Sequence, residues 1–203
     1  MSVGVLWLVS RAAGLVAFVL LTTALVAGVV ATAPTMPMSP GADRRWPRWA
    51  RQALHRDLAL LAAGALVVHV VSVVLDGYVD VGWVSVVLPF TAGYHPVAVA
   101  AGTLALDTVL VVVATSLLRV RLGYRSWRAV HWLVYAAWPL AALHYLCVGT
   151  DAGTWWGRSV AIVGTVAVLV AAAVRLAAAR SAPAGPPVAR PGGSRARAAG
   201  RRR

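Results

Sequence analysis

Glutamate and lysine do not occur in this chain, and cysteine occurs once, at Cys147. A single cysteine excludes an intrachain disulfide and a Cys-rich metal site, so Cys147 reads as a small apolar residue. Charge is scarce as well. Only 12% of the 203 residues are charged, against about 25% in a soluble domain. Six aspartates carry all the negative charge and nineteen arginines all the positive, for a net charge of +13. What is abundant is apolar: 60% of the chain, gathered in runs long enough to cross a bilayer, which takes roughly 20 residues each. The class implied is an all-α, polytopic membrane protein, and the length leaves no room for a sizeable second domain. In such a chain a basic balance points to cytoplasmic loops and anionic lipid ahead of nucleic acid.

Five apolar segments are predicted, at residues 3–30, 54–75, 97–118, 129–148 and 159–179. The first is too long for a signal-peptide core, has no basic region before it and carries Arg11 inside it, so it reads as a membrane helix. Between the second and third lies "DGYVDVGWVSVVLPFTAGYHP", whose apolar run is too short to span and reads as an outer loop with an interfacial or re-entrant piece. Residues 181–203 are Pro, Gly, Ala and Arg without periodicity, a disordered basic tail beside a transmembrane domain at 1–180.

Arginine sets the orientation. The loops after segments one and three and the C-terminal tail are basic, whereas the loops after segments two and four hold Asp76, Asp80 and Asp151. A five-helix topology with the N-terminus outside and the C-terminus in the cytoplasm puts every basic loop on one side. Trp46, Trp49, Trp127 and Trp132 then mark the inner interface and Trp7, Trp83, Trp155 and Trp156 the outer one, the depths an amphipathic indole prefers.

Two of the greasy segments each carry two histidines. His55 and His69 are fourteen residues apart in segment two, and His131 and His144 thirteen apart in segment four. Both segments run in the same direction, so His55 and His131 share one depth and His69 and His144 the other, about 20 Å away at 1.5 Å per residue. Two haems stacked across a membrane need that arrangement, each iron taking one imidazole from each of two facing helices. Helical phase suits the first pair. It leaves His144 about 140° from the face of His131, with Pro139 between them as a place to bend. The alternative is a set of histidines that satisfy neighbouring backbone or line a pathway in a haem-free scaffold or transport protein.

The stretch "TSLLRVRLGYRSWRAVHWLVYAAWPLAALHYLCVGTD", together with "SRAAGLVAFVLL" and "LHRDLALLAAGALVVHVVSVVLDGYVD", resembles the ferric reductase-like transmembrane domain family, over roughly residues 5 to 180. That family includes ferric reductases, NADPH oxidases and the haem subunit of the bacterial methionine sulfoxide reductase system. The resemblance implies b-type haem, two per chain, ligated by His55, His69, His131 and His144, and electron transfer across a bacterial plasma membrane. It also implies an electron acceptor at the outer face. The flavin and nicotinamide module of full ferric reductases has no counterpart here, since no GxGxxG follows a strand. No bound flavin is therefore expected on this chain, and electrons are expected from a separate flavin reductase or from quinol. A quinol-oxidising haem subunit serving an outer redox partner is the alternative within the class.

Arg11 falls at the depth of the outer histidines, where a haem propionate would be its natural partner, unless it snorkels to headgroups. Arg51, Arg56 and Arg128 are candidates for the inner propionates, or plain positive-inside residues. Asp107, in mid-membrane, is expected to hydrogen-bond a neighbouring helix or to serve a proton path. His95 is a loop histidine with an acceptor or quinone site as its functional alternative, and Tyr78, Tyr94 and Tyr145 read as interfacial.

Overall fold

The computed structural model describes residues 4–32 and 47–180, and every regular element among them is helical. Lipid dictates this, because backbone N–H and C=O groups there have no water to bond and must be satisfied within the segment. In chain order the helices are α1 (Val5–Thr32), α2 (Arg48–Asp76), the short α3 (Trp83–Val87), α4 (Pro96–Leu117), α5 (Arg119–Leu122), α6 (Tyr124–His131), α7 (Val134–Val148), a 3-10 turn (Thr150–Gly153) and α8 (Trp155–Arg180). Four of them, α1, α2, α4 and α8, are long and apolar enough to cross a membrane. The chain is an all-α, multi-pass membrane protein. The predicted disordered tail at 181–203, and Arg44, Arg45 and Trp46, lie outside the described residues.

Helix ends follow local chemistry. Pro47 precedes α2 with φ −63° and ψ 153°, and Gly77 closes α2 in the left-handed region at φ 64°, where a side chain would be strained. The helix starts six residues before the predicted Leu54. Apolar counting finds where the chain enters lipid, whereas the polar first turns with Arg48 and Arg51 are already helical. Pro96 opens α4 at a position where its missing N–H costs nothing.

The predicted fourth span is one helix in sequence and two in structure. Around Trp132 and Leu133 the ladder tightens: the N–H groups of Leu133, Tyr135 and Ala136 reach back three residues, at 3.0, 3.2 and 2.9 Å, to the carbonyls of Val130, Trp132 and Leu133. Pro139 has no N–H to offer Tyr135. A 3-10 step turns about 120° against 100° in an α-helix, so three such steps add roughly 60° and cut the phase error between His131 and His144 from about 140° to about 80°.

α2 packs along α1 and α4 along α7, with α8 closing against α1. The core between them holds Phe18 stacked on Tyr145 (centroids 5.1 Å, 8° between planes) and beside Trp138 (6.1 Å). Lipid tails are as apolar as these side chains, so packing and interhelical hydrogen bonds hold the bundle together. Trp138 Nε1–H donates to Thr22 Oγ1 at 3.0 Å, and the Tyr145 hydroxyl to the Gly157 carbonyl at 3.1 Å. Tyr145 is therefore a core residue and not the interfacial one its position suggested; α8's backbone satisfies its hydroxyl. α3 lies on the first turns of α4, where Thr103 Oγ1 donates to the Ser85 carbonyl at 2.7 Å. Trp7 against Tyr78 (5.3 Å) and Trp127 on Ser116 mark opposite ends of the bundle.

Candidate functional site

α2 and the α6–α7 pair bring the four histidines together two by two. The rings of His55 and His131 have centroids 6.2 Å apart at 80° between planes. Those of His69 and His144 are 6.3 Å apart at 76°. These are the pairs expected from depth.

Three of the rings are tied from behind. His55 Nδ1 lies 2.8 Å from the Ala24 carbonyl, His69 Nδ1 2.8 Å from the Ser10 carbonyl, and His144 Nδ1 2.9 Å from the Ala98 carbonyl. A carbonyl only accepts, so each Nδ1 carries the proton and donates it. Each neutral ring then has its lone pair on Nε2, the tautomer that binds a metal. His131 Nδ1 is buried with no hydrogen-bond partner among the described residues. Its ring instead lies against Trp127, centroids 5.1 Å apart at 31°.

The dimensions suit one metal ion between each pair. A metal–imidazole bond of about 2.0 Å, and a ring nitrogen about 1.1 Å from the ring centre for C–N bonds near 1.33 Å, separate opposed centroids by roughly 6.2 Å. No group of three or more His, Cys, Asp or Glu side chains that could hold a metal occurs among the described residues. A bare ion would have only two protein ligands at each level. A metal that arrives in a planar macrocycle with four nitrogens of its own needs only two more, and the histidine pairs fit that group.

An apolar-walled cavity reaches His69 and His144 and runs past Gly14 and Gly102 to Arg11 and Asp151. Arg11 is ion-paired with Asp151, a buried carboxylate in the 3-10 turn before α8. Its Nε is buried without a partner among the described residues. The arginine expected to meet a propionate thus has one guanidinium nitrogen on a carboxylate of its own chain, a partner the sequence reading missed. Arg128, one turn before His131 on α6, is exposed, with its Nη1 on the Tyr124 hydroxyl at 2.9 Å. Arg56 is exposed and paired with Asp57 at 3.0 Å. Arg51, one turn before His55, has a buried Nε with no partner among the described residues.

Asp107 makes no hydrogen bond or ion pair with another described residue, and its neighbours one turn away, Leu104, Leu110 and Val111, are exposed. The expected bond to a neighbouring helix is not formed among the described residues, although Asp107 is half-buried and Thr103, one turn before it, is buried. His95 caps α4 in the left-handed region at φ 39°, edge-on to Tyr94 at 4.5 Å, apart from the four paired rings.

A family model described as ferric reductase like transmembrane component matches residues 13–142, well over half of the chain. The match takes in His55, His69 and His131 and stops two residues before His144. Neither a curated protein nor a solved structure matches significantly.

Proposed function

The chain belongs to the ferric reductase-like transmembrane family, and we propose that it carries electrons across the membrane through two b-type haems, one between His55 and His131 and one between His69 and His144. The observation that supports this most is the pair of ring separations, 6.2 and 6.3 Å, at two depths, with three Nδ1 protons donated to backbone and Nε2 left for iron. When bound, each haem supplies a one-electron redox centre; the protein sets spacing, ligation and dielectric.

The chain's own groups do the rest. The carbonyls of Ser10, Ala24 and Ala98 fix tautomers and add electron density to the rings. Arg11, held by Asp151, offers its remaining N–H groups to a propionate at the His69–His144 level. Arg51 and Arg128 are the corresponding candidates at the other level, Arg51 with a buried Nε that has no partner among the described residues. Phe18, Trp138 and Tyr145 fill the space between the levels and exclude water from it.

In this reading the basic end faces the cytoplasm, with the N-terminus outside. Electrons come at that end from a separate flavin reductase or from quinol, and an acceptor takes them at the outer face. A reporter placed after Arg203 is then cytoplasmic and one placed near Ala152 external; the reverse accessibility inverts the direction. The decisive experiment is a visible spectrum and haem assay of the detergent-purified chain supplied with haem. Two haems per chain and a reduced-minus-oxidised α band are expected. A colourless protein overturns the proposal.

A further inference from the structure

The three tied histidines share one construction. Each Nδ1 donates to the carbonyl of a residue on the neighbouring helix, and four positions after that residue stands a glycine: Ser10 with Gly14, Ala24 with Gly28, Ala98 with Gly102. In a helix that same carbonyl already takes the glycine's own N–H, so the ring must lie flat over the glycine to reach it. A Cβ on Gly14 would come within 2.8 Å of His69 Nδ1, one on Gly28 within 2.9 Å of His55 Cε1, and one on Gly102 within 2.6 Å of His144 Nδ1. Any side chain there would lift the ring off its carbonyl. Gly14 and Gly28 are fourteen residues apart on α1, the same interval that separates His55 and His69 on α2.

The same fourteen-residue step along α4, from Ala98 and Gly102, falls on Val112 and Ser116. That is where a seat for His131 would be, and it is filled. Ser116 Oγ donates to the Val112 carbonyl at 2.6 Å and accepts Trp127 Nε1–H at 3.1 Å. Trp127 in turn lies against His131, whose Nδ1 has no partner among the described residues.

We infer that Gly14, Gly28 and Gly102 are positioning residues: with the carbonyl four residues before, each forms a seat that fixes the plane and tautomer of one haem-ligating histidine. At the fourth position Ser116 and Trp127 replace the seat and hold His131 by ring contact. The inference rests on the haem reading above. It carries a spectroscopic signature, because the paired rings stand at 76° where both have seats and at 80° where one seat faces the ring held against Trp127. Near-perpendicular axial imidazoles each raise a different iron dπ orbital and leave the two almost degenerate. Both ferric haems should then give strongly anisotropic low-spin electron paramagnetic resonance signals, where parallel rings would give rhombic ones.

The test uses the haem-loaded chain in detergent. Gly14→Ala and Gly102→Ala should shift the signal and midpoint potential of the His69–His144 haem alone, and Gly28→Ala those of the other haem alone. Gly64→Ala, on α2 with nothing within 4 Å of its Cβ position, should change neither. If the three seat substitutions leave both haems as in the unsubstituted chain, or move both together, the seats do not position the ligands. Should a substitution prevent folding, hydrogen exchange of the histidine Nδ1 protons in the ¹⁵N-labelled, dithionite-reduced parent decides. Three slow protons and one fast are expected, and four alike overturn the inference. A parent that binds no haem defeats the proposed function; one that binds two and fails these tests defeats the seats alone.

Discussion

At the His69–His144 level both Nδ1 atoms donate to carbonyls, a cavity opens onto both rings, and the Arg11–Asp151 pair stands in its wall. At the His55–His131 level one ring is tied and the other rests on a tryptophan. The ring separations are nearly equal, 6.3 and 6.2 Å, so the difference lies behind the rings and not between them. Its cause is helix continuity. His69 and His144 sit in unbroken helix with α1 and α4 against their backs, whereas His131 is the last residue of α6, just before the ladder tightens. A ligand at a helix break has lost part of the rigid frame that aims it, and Trp127 supplies what the backbone does not.

The largest effects come from removing a level. His69→Ala with His144→Ala should leave about half the haem, since the levels lie roughly 20 Å apart by helix rise. His55→Ala with His131→Ala should leave the other half, and the cross-level pair His55→Ala with His144→Ala should damage both. Haem per chain and redox titration of folded variants measure this. A cross-level pair that keeps one intact haem, while both same-level pairs lose all of it, would break the two-level scheme.

Next in size is ligand exchange. Carbon monoxide added to the reduced protein should enter at the His55–His131 level, because among the described residues His131 Nδ1 finds no hydrogen-bond partner to strengthen it as a ligand or hold its ring in place. The spectral change should reach at most half the haem, and His55→Ala with His131→Ala should abolish it. Exchange at the other level first would reverse the comparison.

Much of this was legible in the sequence, for reasons tied to single residues. A histidine in an apolar run is conspicuous, and spacing converts directly to depth at 1.5 Å per residue, so both levels followed from four positions. What stood behind the rings was not legible. A backbone carbonyl carries no letter in a sequence, and Gly14, Gly28 and Gly102 look like any small residues of a membrane helix. The one available signal was the fourteen-residue interval that α1 shares with α2. Asp151 was read as a loop charge because its neighbours are polar; only the fold carries it to Arg11, 140 positions away. Arg51, Arg56 and Arg128 could not be told apart by position; in the fold Arg56 pairs with Asp57 and Arg128 bonds Tyr124, while the Arg51 Nε is buried without a partner among the described residues.

The Arg11–Asp151 pair gives a smaller effect confined to one level. Removing one member of a fully buried pair costs about 3–5 kcal/mol. The Arg11 side chain is 33% exposed, so Asp151→Ala should cost about 1–3 kcal/mol. Thermal unfolding in detergent reads the loss, and only the His69–His144 haem should shift in potential. Arg11→Gln with Asp151→Ala should cost less than the two singles together, because the second change strands no charge. Additive costs would mean that the pair does not act as one.

The smallest effect tests whether the space between the levels belongs to either. Trp138 is seven residues from His131 and six from His144, and its indole N–H is held by Thr22 Oγ1 at 3.0 Å. Thr22→Val keeps the shape and strands that buried donor, a cost of about 1–3 kcal/mol in general and nearer 0.6 kcal/mol in membrane helices, where alternative partners are found. Trp138→Phe removes the donor itself. The Phe18 carbonyl to which Thr22 Oγ1 donates at 2.8 Å also takes the helical N–H of Thr22, so losing the hydroxyl then strands no group and the double variant should be no less stable than Trp138→Phe alone. Because the bond lies midway, neither haem's signal should move more than the other in Thr22→Val. A shift confined to one haem would tie the aromatic core to that level, and the contrast between the two sites would then extend to the space between them.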